Sequence, residues 1–469
     1  MQNIVTSFKE IVAEKDNKIA IVADGDEYTY KNLDEYSNYV AAKVSQVAQK
    51  GDRVGICIER SFTLIAAILG VLKAGMSYVP LDNSYPQARL QYMCNEAKVN
   101  CIICRKDGDW PFIENQIVLD DTASYKNEFS CIETEEAYVI FTSGSTGKPK
   151  GVAIKHASIM NTLLWRIRYF SLNTKDKVLQ IPSVSYSSSV EDIFSTLLSG
   201  GTLVMIHQRD LMNVKKMAQI IIQQEVTHLL LIPSLYNELI PHLQESTLRF
   251  VVVAGESITP QVIKKHYKYL KDVSLYNEYG MTETSVAFSA GLINSTESRC
   301  NIGMPIDNMD YILADSEEGV GELVVVGPGV ASGYINDEFN SRFINVKTTQ
   351  GFHTGDLVKV DDDGNLIYCG RKDNQIKRNG KRFDLTEISQ ILREELNLEA
   401  VAIVNRKNKI VCFISSTDND MRDSALNVLR DKIPTDFLPK RYEMLDNIYK
   451  LPNGKIDYGK LRSHEGGEI

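Results

Sequence analysis

No stretch of this chain is long and apolar enough to cross a membrane as a helix. A spanning helix needs about 20 consecutive apolar residues, whereas the longest apolar stretches here are residues 64–72 and 228–232. Residues 1–18 mix lysine, aspartate and glutamate with apolar side chains, so they predict a surface helix and no secretory signal. The sequence therefore predicts a cytoplasmic protein with no membrane partner.

The sequence also lacks an excess of basic residues and a clustered set of metal ligands. Lysine and arginine total 52 against 61 aspartate and glutamate residues, which gives a net charge of −9 and argues against a nucleic-acid partner. The seven histidines show no His-x-x-x-His spacing. Cys101 and Cys104 form a Cys-x-x-Cys pair inside an apolar, strand-like segment, and no second pair stands at zinc spacing. We expect neither a zinc site nor a redox centre.

Strand-like and helix-like patterns instead alternate along the chain. A predicted helix at residues 61–73, ending at Gly75, is followed by further helical patterns between strands. Strands are predicted at residues 52–59, 77–81, 177–181, 201–206 and 228–232. This alternation is typical of an α/β fold with mainly parallel sheets packed against helices. The length of 469 residues allows two or more domains.

The best domain boundary lies near residues 370–373, after a polar turn at residues 359–364. Beyond it the pattern is that of a compact α+β domain of ordinary small size. Its predicted elements are a strand at 375–378, a helix at 385–395, strands at 400–405 and 409–416, and a helix at 422–432. We therefore predict an N-terminal domain of residues 1–372 and a C-terminal domain of residues 373–469.

An apolar strand pattern that begins at Tyr138 ends in a loop suited to binding phosphate. The loop holds three glycines, four hydroxyl side chains and two lysines: Gly144, Gly147, Gly151, Thr142, Ser143, Ser145, Thr146, Lys148 and Lys150. Glycine lets a backbone approach a ligand closely. The spacing is not that of a Walker loop, and Pro149 disfavours a helix at the preceding residue, so we predict a mobile loop between two strands. A plain hairpin tip is the alternative.

Residues 143–151, Ser-Gly-Ser-Thr-Gly-Lys-Pro-Lys-Gly, resemble the AMP-binding signature of the adenylate-forming superfamily. That superfamily includes acyl-CoA synthetases, luciferases and the adenylation domains of nonribosomal peptide synthetases. Further resemblances follow the family order at residues 72–82, 277–283, 321–323 with 327–334, 354–356, 370–377 and 451–457. Asp82, Gln375 and residues 453–455 are more similar to peptide-synthetase adenylation domains than to CoA ligases.

The resemblance implies an enzyme that uses ATP to convert a carboxylic acid into an acyl-adenylate. The acyl group would then pass to the phosphopantetheine of a carrier protein. It also implies that the C-terminal domain is a mobile lid hinged at Asp373. No carrier motif follows the lid and no condensation domain precedes the chain, so we expect a stand-alone enzyme whose carrier is a separate protein. The alternatives are an acyl-CoA synthetase, an aryl-acid ligase, or a non-catalytic nucleotide-binding module.

By the same resemblance, Glu283 would hold Mg²⁺, which prefers carboxylate oxygens, and Asp356 would accept hydrogen bonds from the ribose. Lys455 would bridge the acid and the α-phosphate, and Lys377 would act in thioester formation. Without the resemblance, Glu283 would be interpreted as a helix cap, Asp356 as a turn aspartate and Lys455 as a solvated loop lysine. The implied catalytic residues are Lys455, Glu283, Thr142, Lys150, Asp373 and Lys377. The implied nucleotide contacts are Thr142, Ser143, Gly144, Ser145, Thr146, Gly147, Lys148, Gly255, Asn277, Glu278, Tyr279, Gly280, Thr282, Asp356, Tyr368, Arg371 and Lys455.

The acid pocket departs from the family pattern. Typical α-amino-acid domains have Phe-Asp-x-Ser-Val where this chain has Tyr-Ser-Ser-Ser-Val at residues 186–190, so Ser187 replaces the aspartate that pairs with the α-ammonium. A serine cannot neutralise a buried ammonium. Glu191 could do so for an amine displaced from the α position, unless it is only a first-turn acid in a capping-box start. A neutral aryl or hydroxy acid is the other possibility. The remaining pocket candidates are Tyr186, Ser188, Leu235, Val252, Ala254, Glu278, Val286 and Ala287.

Overall fold

The computed structural model describes residues 3–105, 110–120, 128–142, 149–294, 301–372, 375–378, 381–405, 408–418, 420–450 and 456–465. Contacts between Cα atoms divide the chain into two compact units. The first comprises residues 1–82, 94–141 and 151–372. The second comprises residues 83–93, 142–150 and 373–469.

Strands and helices alternate through the first half of the chain. The elements are α1 Ile4–Lys15, β1 Ile19–Ala23, β2 Asp26–Thr29, α2 Tyr30–Val44, β3 Arg53–Cys57, α3 Phe62–Lys73, β4 Ser77–Pro80, α4 Gln87–Glu96, β5 Cys101–Cys104, β6 Asn115–Val118, β7 Glu136–Thr142, β8 Lys150–Lys155, α5 His156–Tyr169, β9 Lys177–Gln180, α6 Ser188–Leu198, β10 Thr202–Met205, α7 Val214–Gln223, β11 His228–Leu231, α8 Pro233–Leu239, β12 Phe250–Ala254 and α9 Pro260–Tyr269.

Strands predominate in the segment that follows, before helices return near the C-terminus. The elements are β13 Ser274–Met281, β14 Val286–Ile293, β15 Met304–Pro305, β16 Asp310–Glu317, β17 Val320–Val326, β18 Gly333–Tyr334, β19 Phe343–Val346, β20 Thr349–Val360, β21 Leu366–Arg371, β22 Gln375–Arg378, β23 Lys381–Asp384, α10 Thr386–Leu396, β24 Ala400–Val404, β25 Ile410–Ser415, α11 Asp420–Arg430, β26 Arg441–Leu445 and α12 Tyr458–Glu465.

The first unit is built on three sheets. A nine-stranded sheet has the order β15-β14-β13-β12-β11-β9-β10-β1-β2 and a seven-stranded sheet the order β18-β8-β7-β4-β3-β5-β6. Parallel pairs predominate in both, such as β12 with β13 and β3 with β4. This confirms the predicted α/β class. The third sheet, β16-β17-β20-β19 with β21 beside β20, is antiparallel. It was not predicted from the sequence.

The second unit contains a three-stranded sheet covered by helices. Strands β24 and β25 pair antiparallel, β25 and β26 pair parallel, and α10 and α11 supply apolar side chains to one core. The predicted strand–helix–strand–strand–helix order is confirmed, with element ends shifted by one or two residues. Strands β23 and β26 were not predicted.

Two local expectations need comment. Residues 4–15 form the expected surface helix, α1, which buries Ile4, Val5 and Phe8 on one face and exposes Glu10 and Glu14. The Cys101–Cys104 segment is a fully buried strand, as predicted. Within the part of the chain that the structure describes, no helix has the length and apolarity needed to span a bilayer.

Lys73, in the family motif at residues 72–82, has a structural role within the first unit. It ends α3 and is fully buried, and its Nζ donates to Asp34 Oδ1 at 2.6 Å and to Asn38 Oδ1 at 2.7 Å on helix α2. Burial lowers the pKa of Lys73, and Asp34 partly offsets that shift. The motif therefore joins α2 to α3 through a buried ion pair.

Gly70 on α3 lies directly against helix α2. An added Cβ would lie 2.5 Å from Val40 Cβ and 2.8 Å from the Ser37 carbonyl oxygen. We expect Gly70→Ala to reduce the free energy of unfolding by about 1–3 kcal/mol through overpacking, measured as a lower Tm. Gly459→Ala is the matched control because its Cβ would meet Asp457 at an ordinary 3.4 Å in helix α12. Equal Tm values for the two variants would contradict this packing argument.

Candidate active site

The candidate site lies where parallel strands of the nine-stranded sheet end. The chain leaves β9 into residues 186–191, leaves β12 at Gly255, and passes through residues 277–283 at the end of β13. Strands β12 and β13 run in parallel, with Ala254 opposite Glu278. In open α/β sheets, ligands bind outside the carboxyl ends of the strands. The fold therefore places the predicted acid-pocket and adenine residues at the carboxyl ends of neighbouring strands.

Asp356 is the centre of the predicted ribose site. It lies on β20 directly opposite Arg371 on β21, and its side chain is buried. One carboxylate oxygen accepts from Arg371 Nη1 at 2.6 Å, and the other accepts from the Tyr279 hydroxyl. Arg371 Nη2 also donates to the Thr354 carbonyl oxygen at 3.1 Å. Three predicted nucleotide residues from three strands thus form one hydrogen-bonded group.

The Tyr279 hydroxyl stays protonated in this group. Burial raises the pKa of Tyr279 well above its ordinary value, and the neighbouring Asp356 carboxylate adds to the shift. The phenol can therefore donate to Asp356 at any physiological pH. Its ring packs edge-on to Phe288, with centroids 6.4 Å apart.

Strand β13 ends in a turn that only glycine permits. A Cβ on Gly280 would lie 1.6 Å from the Val286 carbonyl oxygen. Ser285 and Val286 follow with φ values of 51° and 81°, a region that β-branched residues rarely occupy. Local backbone strain of this kind clusters at functional sites. The turn places Glu283, in the short helix Thr282–Thr284, at the site edge.

Glu283 is buried and hydrogen-bonded to two residues of the motif at residues 327–334. Its Oε1 accepts from the Tyr334 hydroxyl at 2.7 Å, and its carbonyl oxygen accepts from the Ala331 N–H at 2.9 Å. The side-chain cap of this short helix is Thr284, whose hydroxyl accepts from the Met281 N–H at 3.2 Å. Glu283 is thus a buried acidic residue, and its side-chain oxygens are of the kind that Mg²⁺ prefers as ligands.

Three further candidates for nucleotide contact are described: Asn277, Gly255 and Tyr368. Asn277 is buried and its Nδ2 donates to the Asn301 carbonyl oxygen at 2.5 Å. Gly255 adopts a positive φ of 84° immediately after β12. Tyr368 is half-buried on β21, opposite Val358. Contact of these residues with a nucleotide stays a prediction.

Ser187, which replaces the usual aspartate, is buried at the start of helix α6. Its Oγ accepts from Thr282 Oγ1 at 3.2 Å, which links the acid pocket to the Glu283 turn. The capping-box interpretation of residues 189–192 is wrong, because α6 already begins at Ser188 and its N-cap, Ser187, makes no side-chain cap bond. The other part of that interpretation is confirmed, since Glu191 is an acid in the first turn of α6. Of the other pocket candidates, Val252, Val286 and Ala287 are buried, and Tyr186, Ser188, Leu235 and Ala254 are half-buried.

Glu191 points into a buried charged cluster that also contains Arg166 and Glu278. Both Arg166 and Glu191 have side chains with 0% exposure. Arg166 Nη1 lies 2.7 Å from Glu278 Oε2 and 3.9 Å from Glu191 Oε2. Neither carboxylate oxygen of Glu191 has a hydrogen-bond partner among the described residues. Asp192, the next residue along α6, is equally buried.

The titration behaviour of the cluster follows from its burial. Burial, with Glu278 next in importance, raises the pKa of Glu191 well above its ordinary value. Burial likewise raises the pKa of Asp192 to about 8. Burial alone would lower the pKa of Arg166, but Glu278, Glu191 and Asp192 together bring it above its ordinary value. The arginine is therefore charged, and burial favours the protonated forms of the Glu191 and Asp192 carboxyls.

Several predicted residues fall outside the described part of the chain. Thr142 ends β7 and Lys150 begins β8, with the Thr142 hydroxyl 3.5 Å from the Lys150 carbonyl oxygen, so the phosphate loop joins two strands as expected. The loop residues Ser143, Gly144, Ser145, Thr146, Gly147 and Lys148 lie outside the described residues, as do Asp373, Lys455 and the side chain of Lys377.

Sequence reasoning missed Arg166, Asp192 and Tyr334. Arg166 had a visible signal, since it follows Ile159 and Leu163 at helical spacing on the buried stripe of α5. A lone arginine on such a stripe needs a buried carboxylate partner. Its partner Glu278 is 112 residues away in sequence, so the pair itself could not be identified.

The first comparison with known proteins is at the family level. Residues 8–335 match the family described as AMP-binding enzyme. The chain is 36% identical, over 96% of its length, to bacitracin synthase 3 of Bacillus licheniformis, and 32% identical, over 97%, to gramicidin S synthase 2 of Brevibacillus brevis. It spans only 8% and 11% of the lengths of these two relatives.

The fold is also similar to that of solved structures. One is NpsA-ThdA, an artificially fused adenylation–PCP di-domain NRPS from Klebsiella oxytoca, with a TM-score of 0.84 and 24% identity over 95% of this chain and 94% of that one. That similarity supports the fold, and the family match covers more than half of the chain. The predicted superfamily is confirmed, and the chain belongs to the AMP-binding enzymes, which form acyl-adenylates.

Proposed function

We propose that this protein uses ATP to activate an amine-bearing carboxylic acid as an acyl-adenylate and then transfers the acyl group to the phosphopantetheine thiol of a carrier protein. The observation that carries the proposal is that strand β13 and the turn after it connect the predicted site residues: Tyr279 bonds to the Asp356–Arg371 pair, Thr282 bonds to Ser187, and Glu283 directly follows Thr282. Membership of the AMP-binding enzymes supports ATP as the nucleotide.

Adenylation needs the acid carboxylate held in line with the α-phosphate, and needs the developing charge to be stabilised. No side-chain nucleophile is required, so positioning and electrostatics supply the catalysis. Asp356 would anchor the ribose hydroxyls because its carboxylate is already fixed by Arg371. Glu283 would hold Mg²⁺, which neutralises phosphate charge when bound. Thr142, Lys150 and the loop between them would contact the phosphates.

We assign residues 1–372 to ATP and acid binding and residues 373–469 to a lid that carries Lys455. A lysine ammonium is a compact charge on a flexible stem, which suits a group that must reach both the acid and the α-phosphate. Rotation about Asp373 would then bring Lys377 into use for thioester formation, a domain closure of a common kind.

The acid would carry its amine away from the usual α position. Ser187 is neutral and bonded to Thr282, so it offers no charge to an α-ammonium. Glu191 is buried one helical turn further along α6, and a buried carboxylate is a suitable partner for a displaced ammonium. A carrier protein is favoured over CoA by the peptide-synthetase relatives and by the fused carrier domain in NpsA-ThdA.

The experiment is ATP–pyrophosphate exchange with a panel of α-amino, β-amino, ω-amino, aryl and aliphatic acids. We expect exchange with at least one acid that has a β or more distant amine, and weak exchange with ordinary α-amino acids. Thioester formation is then compared between CoA and phosphopantetheinylated carrier proteins added separately. Exchange only with α-amino acids would contradict the substrate proposal, and thioester formation only with CoA would contradict the acceptor.

A further inference from the structure

The first unit contains a surface groove that the proposed function does not explain. The groove has a volume of about 780 Å³ and is lined by helix α5, strands β14 and β15, and the turn between β20 and β21. Strand β14 pairs with β13, which carries the predicted nucleotide contact Asn277, so the groove lies one strand away from the candidate active site. None of the described residues that line it is a predicted site residue.

The groove gathers apolar side chains that are exposed to solvent. Tyr169, Leu292 and Met304 line it and are 45%, 46% and 47% exposed. The part of the chain that the structure describes has nine exposed large hydrophobic side chains, so one third of them lie around this groove. Exposed apolar side chains that are grouped in this way mark an interaction surface, whereas scattered ones do not.

The Tyr169 ring is already fixed in place. It stacks on Trp165 with ring centroids 5.1 Å apart, and it meets Phe170 and Tyr276 edge-on at 5.0 Å and 5.8 Å. A partner that covers its exposed face therefore pays little side-chain entropy to order it. Trp165 also lines the groove but is only 4% exposed, so Tyr169 is the aromatic surface that a partner can reach.

The groove is negatively charged. Of the described residues that line it, four are aspartates and none is basic. Asp307 pairs with Arg168 at 2.7 Å, and Asp361 accepts from the Asp363 N–H at 3.1 Å, which fixes the turn. The exposed carboxylates of Asp362 and Asp363 have no ion-pair or hydrogen-bond partner within the described ranges. Two negative charges are therefore available to a cationic partner.

We propose that this groove binds a segment of a partner protein in which arginine stands next to an apolar side chain. A guanidinium group can both stack on the Tyr169 ring and pair with a carboxylate, which a lysine ammonium does less well. The apolar side chain would cover Met304, which lies beside the acidic turn: a Cβ added at Gly364 would be 3.8 Å from Met304 Cε.

A protein segment fits the groove better than a small molecule does. Small-molecule sites bury about 70–90% of their ligand, whereas the apolar side chains here are about half exposed and Asp362 and Asp363 lie at the surface. An open, half-exposed groove with an acidic rim instead resembles the edge of a protein interface, where charge complementarity selects the partner. This inference adds a partner to the proposed function and does not depend on it.

The test measures the binding of three capped pentapeptides to the full chain by isothermal titration calorimetry. The probes are acetyl-Gly-Arg-Leu-Arg-Gly-amide, the same peptide with glutamate in place of arginine, and the same peptide with glycine in place of leucine. We expect the arginine–leucine peptide to bind about tenfold more tightly than the glutamate peptide. It should bind about threefold more tightly than the peptide without leucine. Added salt should weaken its binding, because exposed charges are screened.

Charge-neutralising variants locate the acidic contact. Asp362→Asn/Asp363→Asn should weaken binding of the arginine–leucine peptide about tenfold. Glu317→Gln/Glu318→Gln is the matched control, because it also removes two adjacent exposed acids from the first unit but does not touch the groove. Its affinity should stay within about twofold of that of the unaltered protein.

Two further changes locate the apolar contact. Met304→Gln should weaken binding about threefold, whereas Met212→Gln, at a methionine that is 92% exposed and outside the groove, should not. The chain has two tryptophans, so Trp110→Phe leaves Trp165 as the only one. Since Trp165 lines the groove, its fluorescence should change as the peptide binds, at the same concentrations that the calorimetry gives.

Several results would overturn the inference. Equal affinity for the arginine and glutamate peptides would do so, as would a double aspartate variant that binds no more weakly than its glutamine control. Heat of binding without a change in Trp165 fluorescence would place the peptide elsewhere, and no saturable binding of any peptide would leave the groove without this function. A dimer in analytical ultracentrifugation that Asp362→Asn/Asp363→Asn dissociates would show that a second copy of this chain occupies the groove instead. None of these measurements uses pyrophosphate exchange, so they fail or succeed independently of the proposed function.

Discussion

Asp356→Asn is expected to lower kcat/KM for ATP about a hundredfold, the scale of a misplaced substrate, and to lower the Tm. The amide cannot balance the Arg371 guanidinium, whose side chain is only 9% exposed. Breaking a buried ion pair costs about 3–5 kcal/mol. The Tyr279 hydroxyl would also lose its charged acceptor. Pyrophosphate exchange at varied ATP and a thermal melt measure the two effects separately.

Two further variants separate ribose binding from stability. Tyr279→Phe removes only the hydroxyl and leaves the Asp356–Arg371 pair in place, so its ATP defect should be much smaller. Asp315→Asn makes the same chemical change at an exposed carboxylate that pairs with Lys372 at 2.9 Å, and screened surface pairs contribute little. A full loss of ATP use in Asp315→Asn, or none in Asp356→Asn, would refute the ribose assignment.

The mainly parallel character of the two large sheets could be predicted because many of their strands are short apolar runs separated by helical segments. Helix α3, for example, is buried along its whole length and begins after a Ser61 cap, and both features are visible in sequence. The antiparallel sheet could not be predicted in the same way. Strand β16 mixes exposed and half-buried residues, and its place in the sheet depends on the pairing of β17 with the distant β20.

The candidate site, too, could be predicted from the sequence only in part. Asp356 and Arg371 face each other across neighbouring strands of one antiparallel pair, so a resemblance that names both residues is enough to place them together. Glu191 was singled out from its position after Ser187, but its surroundings depend on Arg166 and Glu278, from α5 and β13. Only the fold unites three such distant segments, and the charge balance of the pocket is a property of that union.

Lys455→Ala is expected to abolish adenylation, with kcat falling by about 10²–10³-fold, as when one transition-state donor is removed. The reason is electrostatic: the acid carboxylate and the α-phosphate are both anionic, and a cation must offset their repulsion as the bond forms. Lys455 lies in the Leu-Pro-Asn-Gly-Lys-Ile-Asp motif at residues 451–457, outside the described residues. The Tm should not change, since the Pro-Asn-Gly sequence before Lys455 is typical of an exposed turn, and substitutions at such positions have little effect on folding.

Lys450→Ala is the matched control for this prediction. Lys450 is half-exposed and pairs with Glu399 at 2.8 Å, so its loss should leave pyrophosphate exchange within about twofold of normal. Thioester formation from supplied acyl-adenylate then distinguishes the two half-reactions. Lys455→Ala should retain it, because the anhydride already exists and no anionic repulsion must be overcome. Normal exchange in Lys455→Ala would remove this lysine from the mechanism, and equal loss of both half-reactions would indicate a damaged lid instead.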